Sequence, residues 1–236
     1  MEVKGLCTHL LKDVSFDLYK GEILGFYGLV GAGKTEVARV LFGIDDYSGE
    51  IRIKGKPARL DGIGDALESG VAMIPEERRE DGIFGILSIK SNIPMMKMKA
   101  ILRNGIISRT KENDLADDYI KRLSVAARDR EQRVAFLSGG NQQKVVIAKC
   151  LNRESDVLLM DEPTRGIDVG AKLEIHNLAR DLANQGKGVI VFSSELPEIL
   201  HLCDRIVFLN SGRVSAIVKN GDSLDNDQVM KIIAEG

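Results

Sequence analysis

The stretch Gly28-Leu-Val-Gly-Ala-Gly-Lys-Thr35 decides how the rest of the chain is read. It has the spacing G-x-x-x-x-G-K-[ST] and follows Glu22-Ile-Leu-Gly-Phe-Tyr27, an apolar run that reads as a buried strand. Beyond it, Val37, Val40 and Leu41 fall on one helical face from Lys34 to a stop at Gly43. Glycines at this junction let backbone N–H groups turn inward, and a helix N-terminus adds partial positive charge, so the junction suits an anion. Lys34 is expected to reach the β- and γ-phosphates of a nucleotide, and the Thr35 hydroxyl to ligate Mg²⁺. The candidate nucleotide-binding residues are Gly28, Leu29, Val30, Gly31, Ala32, Gly33, Lys34, Thr35 and Glu36. The alternative, a glycine-rich turn that binds nothing, would need strand, loop, Lys-Thr pair and helix to fall in register by chance.

A second apolar run, Val157-Leu-Leu-Met-Asp161-Glu162, ends in two carboxylates. An Asp so placed commonly holds Mg²⁺, and the adjacent Glu162 can polarise an attacking water as general base. Alone, two acidic residues at a strand end would carry little; beside a phosphate loop they complete a nucleotide site. Further short strands are read at Val71–Ile74, Val189–Phe192 and Ile206–Leu209, and an alternating one over Asp13–Tyr19. After Asp168, a helix puts Ile175, Leu178, Ala179 and Leu182 on one face and ends at Gly186. Strands alternating with helices predict an α/β fold. The middle, about Glu76 to Val134, shows helical patterns, a Met-rich stretch (Met95, Met96, Met98) and no convincing strand; it reads as an inserted helical subdomain.

Composition bounds the answer. The 236 residues suit one large domain or a domain with a subdomain. Lys plus Arg is 33 against 35 Asp plus Glu, a net charge of −2, which argues against a charge-driven nucleic-acid binder. The longest apolar runs are four residues, far short of the ~20 that cross a bilayer. The N-terminal residues lack an apolar run with a cleavage site, so no secretion signal is read. Cys7, Cys150 and Cys203 are widely separated and read as buried thiols of a cytosolic domain.

Leu137-Ser-Gly-Gly-Asn-Gln-Gln143 narrows the class. It resembles the LSGGQ-type signature of ABC ATPases and precedes the strand-end Asp161 by 23 residues, counted from Ser138. With Asp161-Glu-Pro-Thr-Arg-Gly-Ile-Asp-Val-Gly-Ala-Lys172 and Ser193-Ser-Glu-Leu-Pro-Glu198, the chain is similar to one type in particular. That type is the C-terminal nucleotide-binding half of the tandem ATPase subunit of ribose/galactoside/xylose-type sugar importers. The resemblance runs from about Leu11 to Gly212 and implies a P-loop NTPase (ABC ATPase) core with an antiparallel β subdomain and an inserted α-helical subdomain. It implies one ABC domain over 1–236, with the core in 1–75 and 153–236 and the helical signature subdomain in 76–152. It also implies that Met1 opens a piece of a subunit about twice as long. The implied activity is ATP hydrolysis coupled to sugar uptake, with ATP and Mg²⁺ as cofactors. The implied partners are a second ABC domain, membrane permease subunits and, indirectly, a sugar-binding protein, with no nucleic acid; the implied place is the cytoplasmic side of the cell membrane, peripherally. Leu137, Ser138, Gly139, Gly140, Asn141 and Gln142 would be presented to the ATP of the partner domain.

The departures bear on catalysis. Where the family usually has a Gln that contacts Mg²⁺ and water, this chain has Glu76, still a candidate metal ligand beside Thr35 and Asp161. Its charge would oppose a phosphate by about 4 kcal/mol at 4 Å and an effective dielectric of 20. Ser194 stands where the family usually has a switch His; with Glu162 and Lys34 it completes the catalytic set, but it cannot carry an imidazole's proton. Val30 and Glu36 replace usual polar residues, and no aromatic in the first ten residues offers a stacking face for adenine. These changes imply a weakened site on this chain's own loop beside an intact signature. The competing readings are a non-transport ABC ATPase and a nucleotide-binding regulatory half without turnover. Glu76–Asp81 reads as a solvated charged loop or as a linkage to the helical subdomain, and Met95–Met98 as core filler or as part of a groove for a membrane subunit. Gly166-Ile-Asp168 reads as an interface loop or a helix cap, His9, His176 and His201 as surface residues, and Val229, Ile232 and Ile233 as one face of a tail helix.

Overall fold

The computed structural model describes residues 1–221 together with 224, 228, 229, 231 and 232. Along the chain run β1 (Glu2–Cys7), β2 (Val14–Asp17), β3 (Ile23–Tyr27), α1 (Lys34–Leu41), β4 (Ser48–Ile53), β5 (Lys56–Ala58), α2 (Ile63–Glu68) and β6 (Val71–Ile74). Then come α3 (Ile89–Asn92), β7 (Leu102–Arg103), β8 (Ile106–Ile107), α4 (Arg109–Arg122), α5 (Gly139–Asn152), β9 (Val157–Asp161) and α6 (Val169–Asn184). The last elements are β10 (Gly188–Ser193), α7 (Leu196–Leu202), β11 (Arg205–Asn210) and β12 (Arg213–Lys219). They form two compact units, one of residues 1–73, 155–163 and 176–236, the other of residues 74–154 and 164–175.

The first unit holds a six-stranded sheet in the order β12-β11-β3-β10-β9-β6 and a four-stranded antiparallel sheet in the order β2-β1-β4-β5. Every residue of β3, β9 and β10 is buried. Strands that are apolar without alternation need cover on both faces, as parallel strands have. Accordingly β10 pairs parallel with both β3 and β9, and β11 pairs parallel with β3. Phe26 and Phe192, on neighbouring strands, sit with ring centroids 4.9 Å apart, and Phe16 meets Phe26 edge-on at the same distance. Register matters most for function. Phe192 lies opposite both Phe26 and Asp161, so β3, β10 and β9 end level, and the residues that follow each strand are delivered to one edge of the sheet. Open parallel sheets bind ligands outside such carboxyl ends.

The second unit is built on α5, buried nearly throughout, which packs against the short helical stretch Ile93–Ile101 and on α3. Lys149, itself buried, donates to Gly82 O, and burial pushes its ammonium below the ordinary lysine range. The sequence reading of this region as strand-free is corrected: β7 and β8 make a small hairpin, pairing Leu102 with Ile107 and Arg103 with Ile106. Asn104 (φ 52°) and Gly105 (φ 80°) both turn left-handed, as a two-residue hairpin loop requires, and Asn-Gly was the available signal. Met95, Met96 and Met98 are partly exposed rather than core filler. Of the tail, Val229 is fully buried, and Ile233 lies outside the described residues. Among the described residues no helix is long and apolar enough to cross a membrane.

Candidate functional site

In the first unit, the loop after β3 turns on its glycines. Gly28 is there for space: a Cβ on it would stand 2.5 Å from Leu209 O and 2.8 Å from Ala32 Cβ. Gly33, at φ 107° and ψ 9°, caps α1 in a conformation that L side chains avoid. The loop is tied down at Ala32, whose N–H donates to Leu29 O (3.0 Å) and whose carbonyl accepts from Gly212 N (3.0 Å). Among the described residues, the N–H groups of Val30, Gly31 and Gly33 have no intramolecular acceptor. Orphan amides at the head of a helix are what an anion would satisfy. The Lys34 ammonium, buried, donates to Gly28 O (2.7 Å) and Leu29 O (3.3 Å), which folds it back over this loop. Val30 is 95% exposed, and Thr35 and Glu36 lie in the first turn of α1, both partly exposed.

Asp161 ends β9, 1% exposed, and Glu162 follows it with φ 41°. A left-handed, non-glycine residue at a strand end costs strain that persists only where surroundings fix it. The fixing groups are visible. Glu162 N donates to Phe192 O (2.9 Å), and its carboxylate accepts from Ser194 N (2.8 Å). Burial raises the Glu162 carboxyl above the usual range, while Ser194 and the Lys34 charge pull it back. A carboxylate of raised basicity suits a general base near neutral pH. Thr35 and Asp161 offer hydroxyl and carboxylate oxygens, the hard donors that Mg²⁺ takes, so this donor set fits the ion.

The second unit carries the signature. Ser138 caps α5: its hydroxyl oxygen accepts from Asn141 N (3.4 Å) and Asn141 Nδ2 (2.9 Å), which leaves the O–H proton available for an acceptor outside the turn. Asn141 Oδ1 takes the Ala126 amide (2.7 Å), and Gln142 Nε2 donates to Val134 O (3.2 Å). Leu137 is buried; Gly139 and Gly140 are close-packed, since Cβ atoms there would lie 3.1 Å from Gly166 O and 2.6 Å from Ala171 Cβ. The run Glu76–Asp81 is no mere solvated loop. Arg78 clamps Arg165 O (2.6 Å) and Gly166 O (3.2 Å), and Glu76 and Glu77 both pair with Arg165. Asp168 Oδ1 accepts from Ala171 N (3.0 Å), so the cap at the head of α6 is present.

Sequence reasoning missed one group. His9 and His201 are exposed, as read, but His176 is buried (8% exposed), with Nε2 2.8 Å from Glu198 Oε1. Its signal was its spacing on α6, with Ala179 and Ala183, both buried, three and seven residues on.

The sequence from residue 11 to 165 matches the family model for ABC transporters. The chain is 44% identical, over 98% of its own length and 45% of the relative's, to a ribose import ATP-binding protein of Rhizobium meliloti (strain 1021). It is 44% identical, over 94% and 45% respectively, to a xylose import ATP-binding protein of Photobacterium profundum. It thus spans about half the length of the curated relatives it matches. A solved ATP-binding cassette of an ABC transporter, in its ADP conformation, superposes with a TM-score of 0.80, covering 100% of this chain and 98% of that one at 17% identity, a likeness of fold. Phosphate loop, paired carboxylates and signature all fall within the stretch that this family model spans, and the chain belongs to the ABC transporter family.

Proposed function

We propose that the chain is the ATP-binding and ATP-hydrolysing module of a sugar importer, working as the second of two ABC domains. The observation that carries the reading is the loop of Gly28 to Thr35: orphan amides and a buried ammonium gathered at the head of α1. Gly28–Glu36 would hold the phosphates, with Lys34 leaving Gly28 O and Leu29 O for phosphate oxygens. Thr35 and Asp161, with Glu76 as a further candidate, would hold Mg²⁺, which supplies neutralising charge at the phosphates when bound. Glu162, oriented by Ser194, would take a proton from the attacking water. Leu137–Gln142 would be offered to the ATP of the first ABC domain, with the Ser138 proton as donor. The proposed partners are membrane permease subunits and, behind them, a sugar-binding protein, and the proposed place is the cytoplasmic face of the membrane, peripherally; the relatives' printed role in import supports this reading.

The site on this chain's own loop is proposed to turn over weakly, because Glu76 and Ser194 replace a neutral amide and an imidazole. The pairing of Glu76 with Arg165 supports a milder impairment than a bare carboxylate would cause. The test of nucleotide binding is the thermal midpoint with and without Mg-ATP, beside Lys34→Ala. Ligand at 100 times its Kd stabilises by ~2.7 kcal/mol, a rise of roughly 5–10 °C for a domain of this size. A rise lost in Lys34→Ala is the expected result. No rise at millimolar Mg-ATP would remove nucleotide binding from the reading.

A further inference from the structure

Behind Glu162 lies a buried polar chain that the reading above does not use. Glu198, on α7, is 5% exposed, and its carboxylate is held from two sides: His176 Nε2 stands 2.8 Å from Oε1, and the Ser193 hydroxyl donates to Oε2 at 2.6 Å. Ser193, fully buried at the end of β10, also accepts from Glu195 N (3.0 Å). The residue between, Ser194, donates its amide to Glu162 (2.8 Å). Imidazole, carboxylate, hydroxyl and turn therefore form one continuous path to the candidate general base. Because a carboxylate accepts, the Nε2 of His176 carries the proton, and Nδ1 is left as a buried nitrogen without a hydrogen-bond partner among the described residues. That is a high cost for a residue on the apolar face of α6, where an aliphatic side chain would pack without one.

We propose that His176 is a positioning residue for Glu162: by anchoring Glu198 it fixes the Ser193 hydroxyl, and so the Ser193–Glu195 turn whose amide aims the Glu162 carboxylate. The chain places no imidazole at position 194 itself, and the buried histidine stands behind that turn, linked to it through Glu198 and Ser193. The proposal rests on the assignment of Glu162 as general base, but its first readout does not. In the full-length protein, amide hydrogen exchange over Ser194 and Glu195 should quicken about tenfold in His176→Leu, the loss of about one buried hydrogen bond. Exchange in Val189–Phe192 should stay as it was. His176→Gln, which keeps a donor toward Glu198, should restore protection. Ser193→Ala replaces a buried hydroxyl by a hydrogen, and should reproduce the effect even where His176→Leu does not fold. The second readout is ATP turnover at this chain's own site, measured in the full-length protein with its membrane subunits after the phosphate-loop lysine of the first ABC domain has been replaced. The maximal rate should fall about tenfold with the Kd for Mg-ATP unchanged, and should fall no further when the same change is made on Glu162→Gln. Unchanged exchange at Ser194 and Glu195 in both His176→Leu and Ser193→Ala would overturn the proposal. Quickened exchange with equal turnover loss in the Glu162→Gln background would also overturn it. Failure of Mg-ATP binding in the Lys34→Ala comparison would fall on the functional reading and leave the exchange result standing.

Discussion

Gly28→Ala tests the loop by the smallest possible change, one methyl. The added Cβ would lie 2.5 Å from Leu209 O and 2.8 Å from Ala32 Cβ, against the roughly 3.5–4.0 Å at which carbon contacts become favourable. Neither neighbour gives way easily. Leu209 belongs to β11, which is paired with β3 on one side and β12 on the other, and Ala32 is bonded to Leu29 O and Gly212 N. The clash must therefore shift the loop itself. Overpacking of this kind costs about 1–3 kcal/mol, or a fall in thermal midpoint of roughly 2–12 °C at about 2–4 °C per kcal/mol. Because the displaced residues carry the orphan amides, the rise produced by Mg-ATP should shrink as well. Gly31→Ala is the comparison. A Cβ there meets nothing within 4 Å, so only its φ of 82° opposes the change, and its cost of about 1–2 kcal/mol should come without displacement of the loop. Differential scanning fluorimetry with and without Mg-ATP reads both quantities. A Gly28→Ala protein that melts with the parent and keeps the full nucleotide shift would refute the reasoning.

Glu162→Gln should leave Mg-ATP binding intact and lower turnover at this site by about 10²–10⁴-fold, the usual range for a positioned general base, as read by phosphate release. Because the folded protein holds the Glu162 carboxyl above its unfolded value, its contribution to stability is fully present below the unfolded pKa and is lost as pH rises through the folded one. Relative to Glu162→Gln, the ligand-free parent should therefore lose stability from about pH 4 upward; a parent that instead gains on the variant with rising pH in denaturant titrations would contradict this. Ser138→Arg, which fills the signature turn with a long cation, should abolish most ATP hydrolysis in the full-length transporter while sparing nucleotide binding here; undiminished hydrolysis would end the asymmetric reading. Arg165→Ala removes an exposed partner of Glu76 and Glu77, so urea titration should show a loss under about 1 kcal/mol.

What could be read from the sequence was what is local. The residues of the phosphate loop are consecutive because one turn between β3 and α1 must supply every amide, and the strand-end carboxylates are adjacent for a similar reason. The six-stranded sheet announced itself because strands buried on both faces are continuous apolar runs, so Val157–Met160 and Val189–Phe192 needed no alternation to be seen. The weaker antiparallel strands did not: β4 buries only Ile51 and Ile53, and the separate β7–β8 hairpin is two residues on a side, too short for any period. What the sequence could not show was pairing at a distance. Glu76 looked like an uncompensated charge until Arg165, 89 residues on, was found beside it. His176 looked like a surface residue because its partner Glu198 stands 22 residues away on another helix. In both cases a substitution judged by its own chemistry changed meaning once its neighbour was known: a lone carboxylate repels phosphate, while a paired one is partly neutralised, and an unpartnered imidazole signals nothing, while one bonded to a buried acid is an anchor. Departures from a motif are therefore weak evidence of lost function until the groups that touch the altered residue are in view. At this chain's own site, Ser194 lacks an imidazole, yet its amide bonds Glu162, and the buried His176 is linked to the same turn through Glu198 and Ser193.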